Sequence, residues 1–251
     1  MERYAGRVAV VTGASSGIGA RIAQDLVREG LVVVGVARRM HLVQELAVSL
    51  VASGARGQLH AVEADLADGA EVRRVFKWVE DKLGGVSVLV NNAAFLSTQP
   101  MQDMEAADMQ RLFATNLTAV ALCCREALAS MRRHGLKNGH VVNINSVTGH
   151  TVIRDVHGVP SVSAYAASKN GLTALSKGLR FDLLKMPEYK IRVTNVSPGL
   201  VCTEMVAAME ASRTGPVLQV QDISEIVLYA LRTPDNVEIG EITVRPVGEP
   251  F

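Results

Sequence analysis

The chain has 251 residues, which is enough to bury a sizeable core in one large domain or two small ones. Hydrophobic residues make up 48% and charged residues 20%, and the formal net charge is +1, so neither nucleic acid nor an anionic membrane is indicated as a partner. Three cysteines without a CxxC pattern and six histidines without metal-ligand spacing predict reduced thiols and no metal site. No signal-peptide core and no run of membrane-spanning length is present, so we expect a cytoplasmic protein without an integral membrane segment.

Short apolar runs rich in valine and isoleucine recur along the chain and alternate with longer amphipathic stretches. The runs predict strands buried on both faces, at residues 8–11, 31–36, 59–62 (the weakest), 86–90, 141–144, 191–196 and 242–244. Residues 104–133 carry apolar side chains at helical spacing. Strands that alternate with helices require crossover connections and a parallel sheet. We therefore expect one α/β domain over residues 1–251, a Rossmann-type doubly wound sheet of about seven strands with helices on both faces.

Two segments, residues 147–164 and 203–220, show no clear period. Each follows the carboxyl end of a predicted strand. In open α/β sheets the ligand crevice lies outside the carboxyl ends of the strands. We therefore predict that these two segments form the walls of a substrate pocket.

The first predicted strand is followed by TGASSGIG, residues 12–19, and then by a helical pattern. Glycines at these positions permit a tight turn and a close approach of the backbone to a pyrophosphate, while the helix N-terminus supplies amide donors and partial positive charge. Glycine-rich turns also occur for steric reasons alone, but a dinucleotide fold needs one between its first strand and first helix. The expected cofactor contacts in this turn are Gly13, Ser15, Ser16, Gly17, Ile18 and Gly19.

Tyr165 and Lys169 lie four residues apart, a spacing that places both side chains on one face of a helix. Tyrosine has an unperturbed pKa near 10, and lowering it by about 3 units takes roughly 4 kcal/mol of preferential phenolate stabilisation. A neighbouring ammonium favours the phenolate, so the pair is suited to acid/base catalysis. The spacing is short and also occurs by chance, so the other motifs must decide.

Taken together, the motifs resemble the short-chain dehydrogenase/reductase family over essentially the whole chain. Besides the glycine turn and the Tyr–Lys pair, the matching pieces stand in the family's order: Asp65, then Asn91-Asn92-Ala93-Ala94, Asn116, Ser146, and Pro198-Gly199 with Thr203. Residues 1–20, the GVARR at 35–39, the NINSVTGH at 143–150 and the GEITVRPVGE at 240–249 also resemble the insect farnesol dehydrogenases and their animal relatives that reduce steroid ketones and other carbonyls.

The resemblance implies a role for each matching residue. Tyr165 would be the general acid/base, and Lys169 would also hold the nicotinamide ribose. Ser146 would hydrogen-bond the substrate oxygen, and Asn116 would hold a water that links Lys169 to solvent. The further cofactor contacts implied are Asp65, Leu66, Asn92, Ala93, Pro198, Gly199, Val201 and Thr203. Ser146 and Tyr165 stand further apart than is usual in the family, which predicts a longer pocket wall between them.

The end of the second predicted strand indicates which nicotinamide cofactor is used. An NAD-specific site usually has an acidic residue there, which accepts bonds from the ribose 2′-hydroxyl. Here the strand is followed by Ala37, Arg38 and Arg39. Arg38 offers a planar set of donors suited to phosphate, so we expect NADP(H) as cofactor, with Arg38 and Arg39 beside the 2′-phosphate. The glycine turn supplies the neutral Ser16, so selectivity would depend mainly on Arg38.

The sequence therefore predicts an NADP-dependent alcohol dehydrogenase or carbonyl reductase that acts on a lipophilic small molecule, such as a farnesol-like terpenoid or a steroid. Two alternatives stay open, a 3-oxoacyl-carrier-protein reductase and a non-catalytic NADP-binding sensor. The first usually ends in Asn-Gly-Gly where this chain has residues 244–248, and the second tends to lose the Tyr–Lys pair. By resemblance we also expect a homodimer or homotetramer, paired through the helices around 104–133 and 162–186.

Overall fold

A computed structural model describes residues 1–152, 162–206 and 216–249. Within these ranges the chain forms a seven-stranded parallel sheet in the order β3-β2-β1-β4-β5-β6-β7. The strands are β1 Val8–Thr12, β2 Val32–Ala37, β3 Gln58–Glu63, β4 Val86–Asn91, β5 His140–Ile144, β6 Arg192–Pro198 and β7 Glu241–Val244. The strand order reverses between β1 and β4, which is the switch point where such sheets bind ligands. The predicted Rossmann-type doubly wound fold is confirmed.

Helices cover both faces of the sheet. In the described part of the chain the α-helices are α1 Gly17–Arg28, α2 Met40–Ala52, α3 Gly69–Leu83, α4 Ala106–Phe113, α5 Ala119–Arg133, α6 Ser163–Leu183 and α7 Val220–Arg232. One core cluster joins α1, α2 and α7 to alternate strand residues, and a second joins α3, α5 and α6 to the residues between them. Successive strand side chains point to opposite faces, so each fully buried strand supplies both clusters.

The helix predicted over residues 104–133 has an interruption in the middle. Helices α4 and α5 are joined by a π-helical turn, Ala114–Thr118, which contains the buried Asn116. Such turns are rare and frequently lie at functional sites. By length and composition the stretch Ala106–Arg133 would be able to cross a membrane. Its buried side chains Cys123, Cys124 and Met131 pack instead into the core against the sheet, as in a core helix of a globular protein.

Buried asparagines lie side by side on the central strands of the second half of the sheet. Asn91, Asn143 and Asn195 are in register on β4, β5 and β6. Asn91 Nδ2 donates to Asn143 Oδ1 over 2.8 Å, and Asn143 Nδ2 donates to Ser176 Oγ on α6 over 2.9 Å. Asn195 Nδ2 donates to Glu241 Oε1 on β7 over 3.2 Å. Because buried amides require partners, this asparagine row fixes the strand register beneath the site.

Candidate active site

The carboxyl ends of the strands border a cavity of about 580 Å³. Of the residues predicted to bind cofactor or to catalyse, all but Gly19 and Asn116 line it: Gly13, Ser15, Ser16, Gly17, Ile18, Arg38, Arg39, Asp65, Leu66, Asn92, Ala93, Ser146, Tyr165, Lys169, Pro198, Gly199, Val201 and Thr203. The fold thus brings together residues that follow six strands, β1 to β6, and are distant in sequence.

The glycine turn after β1 has no room for a β-carbon at Gly13 or Gly19. Gly13 has φ +67, and a β-carbon there would lie 2.8 Å from Ala93 Cα. A β-carbon at Gly19 would lie 2.3 Å from Gly13 O, so Gly19 lets α1 approach the turn although it lies outside the cavity wall. The turn therefore presents backbone at the cavity, as a pyrophosphate site requires.

Thr12 and Asn92 fasten the glycine turn to the chain that leaves β4. Thr12 Oγ1 accepts from the backbone N–H groups of Asn92 and Ala93 over 2.9 and 3.0 Å. Asn92 Nδ2 donates to the carbonyl oxygens of Thr12 and Gly13 over 3.0 and 3.2 Å. These bonds hold the two sides of the switch point at a fixed separation.

Asp65 lies on the cavity wall with both of its carboxylate oxygens paired. Oδ1 accepts from Ala67 N over 3.1 Å, and Oδ2 accepts from Arg111 Nη2 over 2.7 Å. The N-cap of α3 is Asp68, whose side chain accepts from Ala70 N. Arg111, on α4, also lines the cavity, and no pattern in the sequence marked it.

Arg39, which follows β2, binds a carboxylate of the protein itself, that of Glu204. Arg39 Nη2 donates to Ser16 Oγ over 2.9 Å and to Glu204 Oε2 over 2.9 Å. The hydrogen bond from Arg39 lowers the pKa of Glu204 below its ordinary value, and Ser16 adds to this. Arg38 lines the same cavity, and its main role in selectivity stays a prediction, while Arg39 makes the contact seen here. Glu204 carried no local signal, because its partner stands far away in the sequence.

Tyr165 and Lys169 lie one turn apart on α6, as their spacing predicted. Lys169 is buried, with 2% of its surface exposed, and its Nζ donates to Ile144 O at the end of β5 over 2.9 Å. That Nζ lies 5.6 Å from the centroid of the Tyr165 ring. The phenol is only partly covered and faces the cavity beside Ser146.

Burial dominates the ionisation of both groups. It raises the pKa of Tyr165 to about 12, and a hydrogen bond with Ser146 partly opposes the shift. It lowers the pKa of Lys169 to about 8. Both shifts favour the neutral form, because the protein atoms packed around each group reduce the solvation of its charged form. The expectation that the ammonium of Lys169, together with the positive nicotinamide ring of an oxidised cofactor, favours the phenolate of Tyr165 stays a prediction.

Asn116 supports the site from behind the cavity wall. Its Oδ1 accepts from Phe95 N over 2.7 Å, and its Nδ2 donates to Phe95 O over 2.9 Å and to Ser168 Oγ over 3.1 Å. The π-helical turn thus joins the loop after β4 to α6 one residue before Lys169. The water contact implied for Asn116 stays a prediction.

Apolar side chains that the sequence did not single out form much of the remaining wall. They include Phe95, Leu96, Val147, Val162, Leu200, Met205 and Val206. The two aperiodic segments contribute Val147, Thr148, Val162 and the residues 203–206. Residues 153–161 and 207–215 of those segments lie outside the described residues, so the prediction of pocket walls is untested there.

Known proteins resemble the chain along its whole length. A farnesol dehydrogenase from Aedes aegypti is 44% identical over 252 residues, covering 100% of each chain. Dehydrogenase/reductase SDR family member 11 from Mus musculus is 36% identical over 255 residues, covering 98% of this chain and 96% of its own.

Solved structures share the fold. A short-chain type dehydrogenase/reductase from Mycobacterium marinum matches with a TM-score of 0.85 at 28% identity, covering 98% of this chain and 96% of its own. A metagenomic short-chain oxidoreductase in complex with NADP matches with a TM-score of 0.79 at 32% identity, covering 97% of this chain and 98% of its own. The family model described as short chain dehydrogenase matches residues 7–214. The chain therefore belongs to the short-chain dehydrogenase family, whose members are oxidoreductases that use a nicotinamide cofactor.

Proposed function

We propose that the protein is an NADP(H)-dependent oxidoreductase that interconverts an alcohol and an aldehyde or ketone on a lipophilic substrate, such as a farnesol-like terpenoid or a steroid. The observation that carries this proposal is the grouping of Ser146, Tyr165 and Lys169 at one end of a cavity with an apolar wall. The relative named farnesol dehydrogenase and the structural neighbour in complex with NADP support the substrate class and the cofactor. A single domain, a cytoplasmic location and a homodimeric or homotetrameric assembly belong to the same proposal.

The cavity has the features that NADP(H) requires. The backbone left open at Gly13 suits a pyrophosphate, and Asp65 offers a carboxylate at the adenosine end. Ser16 and Arg39 already hold a carboxylate, the kind of anion contact that a 2′-phosphate needs. When bound, the cofactor supplies the hydride acceptor or donor for the substrate carbon.

Tyr165 donates or accepts the proton that accompanies the hydride transfer. With a pKa of about 12 the phenol keeps its proton at neutral pH, so it is ready to donate that proton to a carbonyl oxygen. In the opposite direction Tyr165 must first release its proton to solvent; the phenolate, favoured by a neighbouring ammonium at Lys169, then takes the proton of the alcohol. Ser146, bonded to the phenol, holds the substrate oxygen beside it.

The apolar wall selects a substrate with a large hydrocarbon part. Phe95, Leu96, Val147 and Met205 remove water from the substrate carbon and gain free energy from burying apolar surface, about 25 cal/mol per Å². A carbonyl bound between them would lie close to Tyr165, where proton transfer is shielded from solvent.

The test is a substrate panel with farnesol and farnesal, a steroid ketone and a 3-oxoacyl thioester, each with NADP(H) and with NAD(H). We expect turnover of the terpenoid or the steroid with NADP(H). Tyr165→Phe should lower kcat by roughly 10²- to 10⁴-fold, while binding of NADPH, followed by its fluorescence, stays unchanged. Tyr229→Phe, at an exposed tyrosine on α7, is the matched control.

Each outcome of the panel has a distinct meaning. Near wild-type turnover in a folded Tyr165→Phe variant would refute the tyrosine as acid/base. Turnover of the thioester alone would replace the proposal by a 3-oxoacyl reductase. Cofactor binding without turnover of any substrate would favour the non-catalytic sensor.

A further inference from the structure

Three elements meet at the adenosine side of the cavity around one carboxylate. Ser16 comes from the glycine turn, Arg39 from the chain that leaves β2, and Glu204 from the chain that leaves β6. A single nitrogen, Arg39 Nη2, donates to both Ser16 Oγ and Glu204 Oε2, each over 2.9 Å. All three residues line the cavity.

The chain beside Glu204 is fitted against the same turn. A β-carbon at Gly17 would lie 3.3 Å from Thr203 Cγ2, so the backbone of the turn and the side chain of Thr203 are close neighbours. The position of Glu204 therefore follows from the course of the chain after β6 and not only from the reach of a long side chain. Since Arg39 holds the pKa of Glu204 below its ordinary range, the carboxyl is ionised at neutral pH.

We propose that Glu204 is a specificity-determining residue, which competes with the 2′-phosphate of the cofactor for Arg39 and Ser16 and thereby limits the preference for NADP(H) over NAD(H). The inference rests on the proposed function, because it assumes that the 2′-phosphate binds beside Arg39. Glu204, which lies far from β2 in sequence, would oppose the binding of the 2′-phosphate to Arg39.

The physical basis is the repulsion between two anions at one guanidinium. A 2′-phosphate that binds Arg39 would share this group with the Glu204 carboxylate, and two anions close together repel each other. A cofactor without the 2′-phosphate leaves the Arg39–Glu204 pair intact. Specificity is a difference between two affinities, and a competing charge inside the protein reduces that difference without contacting the rest of the cofactor.

The experiment compares two probes that lack the nicotinamide, adenosine 2′,5′-bisphosphate and AMP, by isothermal titration calorimetry. Glu204→Gln keeps the size of the side chain and removes its charge. We expect it to tighten binding of the bisphosphate by roughly two- to five-fold, the range for one exposed ion pair, and to leave AMP unchanged. Asp81→Asn is the control, because it neutralises an exposed partner of Lys77 outside the cavity wall.

An Arg39→Gln background shows whether Glu204 acts through Arg39. There the change Glu204→Gln should have a clearly smaller effect on the bisphosphate, since the charged donor that both anions need is gone and only Ser16 remains. An undiminished gain in this background would overturn the inference, because Glu204 would then act as a distant charge. Weaker or unchanged binding of the bisphosphate by Glu204→Gln in the wild-type background would overturn it as well.

The wild-type protein separates this inference from the proposed cofactor. If it binds the bisphosphate no more tightly than AMP, the 2′-phosphate assignment fails, and NADP(H) preference with it. If it prefers the bisphosphate but Glu204→Gln brings no gain, only the role of Glu204 fails. Thermal unfolding of each variant checks that the fold is intact.

Discussion

The two halves of the sheet border one cavity by different means. On one side, β1 and β2 are nearly all apolar, and the turn after β1 offers backbone shaped by glycine. On the other side, β4, β5 and β6 each bury an asparagine, and the cavity wall carries Tyr165 and Lys169. We propose that the first half binds a pyrophosphate through backbone amide groups and that the second half carries the ionisable side chains of catalysis.

The difference follows from what each half is proposed to do. A pyrophosphate is satisfied by backbone N–H groups at a helix N-terminus, so the first half needs no buried charge. Proton transfer needs ionisable groups close to the substrate, and these must be buried where water is excluded. Buried polar groups destabilise the fold unless they are paired, and the amide nitrogens of the asparagine row are paired within the row and with partners on α6 and β7. Different kinds of substitution should therefore impair the stability and binding that each half supports.

In the first half the most damaging change should be the addition of a single β-carbon. Gly13→Ala forces alanine to φ +67 and places its Cβ 2.8 Å from Ala93 Cα. The positive φ costs about 1–2 kcal/mol, and the overlap with backbone should bring the loss in the free energy of unfolding to about 3 kcal/mol or more. Binding of AMP should be lost together with stability.

Gly54→Ala separates the two causes. Gly54 has φ +70, but a β-carbon there would meet nothing within 4 Å. Gly54→Ala should lower the free energy of unfolding, measured with urea, by about 1–2 kcal/mol and leave nucleotide binding unchanged. Equal losses of unfolding free energy in Gly13→Ala and Gly54→Ala would show that the close approach of the β1 turn to the β4 loop adds nothing to the effect of positive φ.

Much of this contrast was visible in the sequence. All the predicted strands are present, and the glycine turn and the Tyr–Lys pair lie at the cavity, because strand periodicity and short motifs are local properties. The π-helical turn was not predicted, since the apolar stripe continues through it. Arg111 and Glu204 were missed because their ionic partners, Asp65 and Arg39, come close only through the tertiary fold.

In the second half the corresponding test is the removal of one amide from the asparagine row. Asn143→Leu removes the oxygen acceptor of Asn91 Nδ2, which keeps only a 3.4 Å contact with Cys124 Sγ, and it removes the donor to Ser176 Oγ. Each buried hydrogen bond lost in this way costs about 1–3 kcal/mol, so the free energy of unfolding should fall by about 2–4 kcal/mol. Asn138→Leu, which removes a surface hydrogen bond to Asp235, should change it by less than about 0.5 kcal/mol.

A double variant tests whether pairing is the cause. Asn91→Leu combined with Asn143→Leu should cost less than the sum of the single changes, because the second substitution removes the group that the first left unpaired. Strictly additive losses would mean that packing, and not hydrogen bonding, makes these asparagines necessary.

Lys169→Met should show that the second half carries a buried charge at the expense of stability. Burial lowers the pKa of Lys169 from 10.5 to about 8, which corresponds to about 3 kcal/mol at neutral pH. The unfolded chain binds this proton more tightly, so the full penalty is present below about pH 8 and is relieved as the pH rises towards 10.5. The wild type should therefore gain stability relative to the variant by about 2 kcal/mol between pH 7 and pH 9.5.

Urea unfolding of both proteins across this pH range measures the effect. Lys177→Met is the matched control on the same helix, because this lysine is exposed to water. A constant difference between the wild type and Lys169→Met would contradict the burial penalty. The variant should also lose activity whatever its stability, if Lys169 has the proposed role beside Tyr165.

The smallest expected effect lies where the two halves meet, at the pair formed by Asp65 and Arg111. Arg111 Nη2 lies 2.7 Å from Asp65 Oδ2, and the side chains are 39% and 44% exposed. An exposed pair of this kind contributes less than about 1 kcal/mol, so Arg111→Gln should leave thermal unfolding almost unchanged. Its effect should instead be seen in binding, because the bond holds the carboxylate that we assign to the adenosine end of the cofactor.

We expect Arg111→Gln to weaken AMP binding by roughly two- to five-fold, since Asp65 keeps only its bond from Ala67 N and can turn away from the cavity. The loss should shrink in an Asp65→Asn background, where the ion pair no longer exists. Arg125→Gln is the control, because its partner Glu126 lies outside the cavity wall. If Arg111→Gln weakens AMP equally with and without the Asp65 carboxylate, Arg111 contacts the nucleotide itself, and the second half of the sheet then contributes a binding side chain to the first.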